Sequence, residues 1–187
     1  MPVLQSKYNV PHFDAKGEAN RFFLQLRVPT TMLRTSFYWD NLVHLGLGPR
    51  AAVDGILEFT LPMAEAKLPG IAAEDIGRAA FGIFVRGKSL VGETIGIAGE
   101  HLTGREMAAA MSKAMGRKVR YRAVTPNQYR ASGSPGADEL GNMFQFKRDF
   151  EQEFVGARNL TVSRELNPGM QSFDEWLAVH KALIPLT

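Results

Sequence analysis

Cysteine is absent from the 187-residue chain. That excludes disulfides, thiolate nucleophiles and cysteine-ligated zinc. Long apolar runs are missing too, and no stretch reaches the length a bilayer-spanning helix needs. No basic–apolar–small leader pattern opens the chain, so the expected compartment is the cytoplasm, or the nucleus for a eukaryotic regulator. Charge of one sign is not in marked excess: 22 basic residues stand against 19 acidic ones, a net charge of +3. The densest basic group is Arg117, Lys118, Arg120 and Arg122. On a strand, Lys118, Arg120 and Arg122 share one face and Val119, Tyr121 and Ala123 the other. No aromatic residue interleaves with that basic face, and no helix-turn-helix or zinc-finger spacing occurs. It reads as a solvated edge-strand face, and neither nucleic acid nor membrane is an expected direct partner. Internal repeats, Gly-x-Ser-x-Gly and His-Glu-x-x-His are also absent. His44, His101 and His180 lie far apart with no carboxylate or histidine at ligand spacing, so no metal site is expected.

What is present fits an ordinary globular chain, with 45% hydrophobic and 22% charged residues. Its length allows one sizeable core, or one domain with a small lobe. Residues 1–10 are polar and read as irregular. A helix is predicted from Pro11 or His12 to about Leu26, with Asp14 and Glu18 near its positive end. VPTTMLR (28–34) reads as a buried strand. Residues 38–53 read as a polar-aromatic turn and an irregular or helical excursion. Asp54-Gly55 is a turn before the strand ILEFTL. Residues 70–87 have helical spacing at Ile76, Ala79, Ala80, Ile83 and Phe84, closed by Gly87. A strand (93–99) follows. Thr103-x-x-Glu106 opens a helix ending at Gly116. KVRYRAV reads as the next strand, Thr125-Pro126 as the cap of a short helix, and Asp138–Phe154 as one longer helix. Ser172-x-x-Glu175 caps a final helix. Helices and strands alternate, which argues an α/β fold.

Three patterns carry candidate chemistry. His12-x-x-x-Lys16 puts an imidazole and an ammonium on one helical face, where both can address one ligand. Spacing alone also fits a plain surface helix. Thr35-Ser36-Phe37-Tyr38-Trp39-Asp40-Asn41 reads either as a pocket wall at the C-terminal end of a strand or as a core aromatic cluster with Asp40-Asn41 capping the next helix. Gly46-x-Gly48-x-x-Ala51 matches a dinucleotide fingerprint only superficially. No buried strand precedes it and no apolar-periodic helix follows, so it is rejected. Asp75, in a first helical turn, reads as structural.

The block PHFDAKGE, the pattern Arg34…Tyr38-Trp39-Asp40-Asn41, and the segments DELGNMFQF and SFDEWLAVHK together resemble the NmrA-like family. That family is an atypical branch of the short-chain dehydrogenases/reductases. The likeness runs through nearly the whole chain and corresponds to the second half of such proteins. It implies an α/β fold: the C-terminal portion of a Rossmann-like NAD(P)-binding fold plus a smaller α/β substrate or partner lobe. Residues 11–41 and 70–99 would complete the Rossmann-like core of a single domain fragment spanning 1–187. Roughly 42–69 and 100–187 would contribute the smaller lobe. The resemblance implies NADP or NAD as cofactor, contacted by Lys16, Phe37, Tyr38, Trp39, Asp40 and Asn41. It places Lys16 and His12 where short-chain dehydrogenases carry Lys and Tyr, so His12 either relays a proton or leaves the site inactive. Two roles follow. One is a redox-sensing dinucleotide binder acting through a transcription factor or a metabolic enzyme, with a homodimer as a further candidate assembly. The other is an NAD(P)H-dependent quinone or small-carbonyl reductase. A third reading is a non-enzymatic interaction fragment. The family's glycine-rich turn has no counterpart in these residues, so weak or no dinucleotide binding is expected of the chain alone. Exposed sheet edges and apolar helix faces are expected as well.

Overall fold

Helix α1 (Pro11–Gln25) starts at the proline, whose missing N–H is no loss in a first turn, and Asp14 lies at its positive end. None of its residues is buried. The computed structural model describes residues 8–186; the irregular start read for residues 1–7 lies outside them. β1 (Met32–Arg34), β2 (Phe37–Tyr38), the single turn α2 (Asn41–His44) and β3 (Arg50–Ala51) follow. In β4 (Leu57–Leu61) Leu57, Phe59 and Leu61 are buried, as alternation requires. β5 (Leu68–Ile71) leads into α3 (Ala73–Arg86), whose buried Asp75, Ala79 and Ile83 recur every fourth residue. Then come β6 (Thr94–Gly96), β7 (Glu100–Leu102) and α4 (Gly104–Met115). The chain finishes with β8 (Val119–Ala123), α5 (Pro126–Arg130), α6 (Ala137–Asp149), α7 (Glu151–Gly156), α8 (Leu160–Leu166) and α9 (Phe173–His180). The capping boxes at Thr103–Glu106, Thr125–Gln128 and Ser172–Glu175 close in both directions.

Among the described residues the strands form three small sheets. β1 pairs parallel with β6. β5 lies between β2, to which it is parallel, and β7, to which it is antiparallel. β4 lies between antiparallel β3 and parallel β8. A large core gathers Phe37, Trp39, Leu42, the inner face of β4, α4, Phe144 and the α9 residues Phe173, Trp176 and Leu177. A smaller one joins Ile71, Ala79, Ile83 and Ile97 to Leu166 and Met170, so α8 returns to pack on α3. Asp75 ties these layers together. It is fully buried and accepts from Asn167 Nδ2 at 2.8 Å and the Gln171 N–H at 2.9 Å.

Several local readings change. The 28–34 strand shortens to three residues, only half-buried, with Arg34 exposed; among the described residues it pairs with β6 alone. The stretch read as helix from residue 70 opens as strand β5. The helix over 138–154 breaks at Phe150 (φ −120°, ψ 40°), whose ring packs against Phe146 at 5.2 Å and Tyr8 at 6.2 Å. Gly46–Ala51 contains a short strand and no helix, as its rejection as a nucleotide fingerprint required. The basic face of β8 carries its own counter-charges. Arg120 reaches Asp54 at 3.1 Å, and both Arg120 and Arg122 pair with Glu58, whose carboxyl the Arg120 hydrogen bond holds below its ordinary value. Exposed apolar side chains collect on α1 (Phe22, Phe23) and just after it (Leu26), and on α3 (Phe81, Phe84, Val85).

Candidate functional site

A cavity of about 600 Å³ opens where α1, the segment after β1, α2, α6 and α7 meet. The segment after β1 is placed by the strand's parallel pairing with β6, at the carboxyl end where open α/β sheets bind ligands. Side chains pin it down. Ser36 Oγ donates to the Ile97 carbonyl at 2.6 Å, and Arg158 Nε donates to the Thr35 carbonyl at 2.9 Å. Thr35 Oγ1 and the Tyr38 hydroxyl lie 3.1 Å apart.

Helix α1 contributes His12, Phe13 and Lys16, so the one-face expectation for the i and i+4 pair holds. Lys16 is exposed, and among the described residues no carboxylate lies within ion-pair distance of it. His12 is held by Glu139 from α6. Its ring Nδ1 contacts the carboxylate, and its backbone N–H donates to the same oxygen at 3.0 Å. The His12 hydrogen bond holds the Glu139 carboxyl below its ordinary value. A carboxylate can only accept, so the Nδ1 nitrogen carries the proton and Nε2 is the remaining site for exchange.

Phe37, Tyr38 and Asn41 line the cavity as read from the sequence. Trp39 and Asp40, expected beside them at the cofactor, do not line it. Trp39 is 1% exposed, packs against Phe173 at 5.2 Å, and lies so close over Gly70 that a Cβ there would overlap its indole. The Asp40 carboxylate accepts from the Ala73 N–H at 2.7 Å, at the start of α3. The capping alternative therefore applies to Asp40, but on a helix 33 residues away rather than the next one.

Two cations escaped the sequence reading. Lys147 of α6 is 4% exposed and lines the cavity. Its Nζ lies 5.9, 5.9, 5.5 and 5.4 Å from the ring centres of Phe13, Phe37, Phe144 and Phe154. Burial, with Arg158 nearby, pushes its amine down to about 7. The signal was present: Leu140, Met143, Phe144 and Lys147 occupy i, i+3, i+4 and i+7, so the lysine ends an apolar stripe. Arg158 is equally buried, its guanidinium carbon 3.6 Å from the centre of the Phe154 ring, and burial and Arg34 lower it to about 10. The lining thus holds Lys16, Arg34, Lys147 and Arg158 and no carboxylate. His44, His101 and His180 lie outside the lining; burial lowers the pKa of His101. Among the described residues no helix is long and apolar enough to cross a membrane.

The sequence profile of the NmrA-like family matches residues 3–177. The chain belongs to that family. Solved NmrA, a negative transcriptional regulator in complex with NAD, is 25% identical, with a TM-score of 0.69 over 88% of this chain and 56% of that one. The triphenylmethane reductase of Citrobacter sp. complexed with NADP(H) is 16% identical (TM-score 0.71; 93% of this chain, 62% of that one). An NADPH-dependent quinone oxidoreductase from Escherichia coli is 17% identical (TM-score 0.70; 92% and 62%). The last two show the shared fold. This NmrA-like chain spans just over half the length of the NmrA structures it matches.

Proposed function

We propose that the cavity takes the nicotinamide end of NAD(P) and that the protein is an NAD(P)H-dependent reductase of quinones or small carbonyl compounds. The His12–Glu139 pair carries this reading. A carboxylate on one ring nitrogen fixes the imidazole's tautomer and orientation, as a proton relay requires. Lys16, with no anionic partner among the described residues, is placed one turn on to hold the nicotinamide ribose. A second reading, a dinucleotide sensor acting through a transcription factor or metabolic enzyme, is favoured by α1 itself. The helix that presents His12 and Lys16 to the cavity also presents exposed Phe22 and Phe23, a surface for a partner that would respond to cofactor occupancy.

Two measurements test these readings. In this reading the cavity supplies the nicotinamide wall, and among the described residues no glycine-rich phosphate turn accompanies it. Calorimetry is therefore expected to give nicotinamide mononucleotide and NADP affinities within about threefold of each other, both weak, and Lys16→Ala should weaken each about tenfold, the loss of one charge-assisted hydrogen bond. Micromolar NADP binding without measurable mononucleotide binding would remove the cavity from the cofactor site. The second measurement is NADPH oxidation with a quinone panel. His12→Ala is expected to lower turnover about 100-fold and Glu139→Gln about 10-fold. No turnover in the native protein, with mononucleotide binding intact, decides for the sensor.

A further inference from the structure

Lys147 has no structural partner that accounts for it. Within α6 it holds a position where Leu or Met would continue the stripe of Leu140, Met143 and Phe144. Four aromatic rings surround it, and among the described residues neither a carboxylate nor a hydrogen-bond acceptor meets its ammonium. Burying a cation this way is costly unless something of opposite charge arrives. Every charged group lining the cavity around it has the same sign: Lys16 from α1, Arg34 at the end of β1, and Arg158 after α7, with His12 already engaged by Glu139. The group that completes this arrangement comes from outside the chain.

The surroundings define its chemistry. Arg158 commits Nε to the Thr35 carbonyl and Nη1 to the Phe154 carbonyl at 2.8 Å, whereas the Lys147 ammonium meets no acceptor among the described residues. One free ammonium fits one negative charge better than a phosphate dianion. The walls beside it, Phe37, Met143 and Phe154, are apolar and aromatic, and the volume admits a body of one or two rings. We propose that the inner part of this cavity binds an aromatic monocarboxylate, with its carboxylate on Lys147 and its ring against Phe37 and Phe154. This rests on the proposed function and deepens it: the quinone or carbonyl compound taken by the same cavity would carry an aromatic carboxylate. The binding itself needs no dinucleotide, so the two readings can fail separately.

The probe is benzoate, with benzamide as its neutral isostere, titrated calorimetrically into the chain at pH 8 in buffers of differing ionisation enthalpy. Benzoate is expected to bind at least tenfold more tightly than benzamide. Binding should take up close to one proton, because an amine lowered to about 7 by burial is largely neutral at that pH and the arriving anion recharges it. Lys147→Met should abolish both the preference and the uptake. Lys147→Arg, which keeps the charge, should retain the preference and lose the uptake. Benzoate and nicotinamide mononucleotide should bind together. Equal affinity for benzoate and benzamide would overturn the proposal, as would unchanged benzoate binding in Lys147→Met. Mutual displacement of benzoate and the mononucleotide would assign Lys147 to the dinucleotide instead.

Discussion

Replacing Lys147 by methionine is expected to stabilise the protein, by on the order of 4–5 kcal/mol below pH 7. The figure follows from an amine moved by burial from 10.5 to about 7, at about 1.4 kcal/mol for each tenfold change in proton affinity. Below pH 7 the folded protein must bury a charged lysine, and the full cost is present. Between pH 7 and about 10.5 the folded state has lost this proton while the unfolded state keeps it. The unfolded chain then binds more protons, so stability rises with pH across that window. Methionine has nothing to titrate, so its advantage should shrink by about 1.4 kcal/mol per pH unit above 7. Urea unfolding of both proteins at pH 6, 8 and 10 reads the difference directly. A difference that stays constant over that range would mean that Lys147 finds an acceptor in solution. A group so costly to keep, standing beside a cavity, is the trade of stability for ligand recognition expected at a binding site.

Trp39→Ala is expected to cost about 3–5 kcal/mol, the range for deleting a large buried aromatic side chain. The indole fills the space between Gly70, Phe173 and Trp176, and glycine at position 70 exists to admit it. Thermal or urea unfolding checks the loss. Trp39→Phe separates packing from binding, since it should lower the midpoint while leaving mononucleotide affinity of the folded protein unchanged. A Trp39→Phe protein of full stability that no longer bound the mononucleotide would return this residue to the cofactor wall.

The difference between Tyr38 and Trp39 shows where sequence reasoning stopped. Tyr38 ends β2 and lines the cavity, whereas Trp39 opens the turn after it and packs into the core, and the motif identified the segment but not which of its residues reached the cavity. Local signals were read well. Capping boxes at Thr103, Thr125 and Ser172, the glycine stops at 87 and 116, and the alternation in β4 are written within a few residues each. Elements specified by distant partners were missed. β5 contains Pro69 and Gly70, residues that argue against a strand until Trp39 and β7 are in place. α8 is short but has a clear cap, Asn159, whose side chain accepts from the Thr161 and Val162 N–H groups. The site was legible through α1 and the segment after β1. Its inner half, Lys147 and Arg158, is assembled from chain more than 100 residues away: Arg158 donates to Thr35 across a separation of 123.

Helix α1 buries none of its residues; Glu139 holds its first turn by hydrogen bonds, and half-buried Phe13 packs against the core. An element with so little buried surface opens at a small fraction of the free energy needed to unfold the whole protein. One wall of the cavity is therefore expected to open well before the rest of the molecule unfolds, which hydrogen exchange of α1 would show. Capturing a ligand and freezing this helix become a single event. The entropy lost in ordering α1 is subtracted from the intrinsic affinity, and anything that steadies the helix from its outer side tightens binding within.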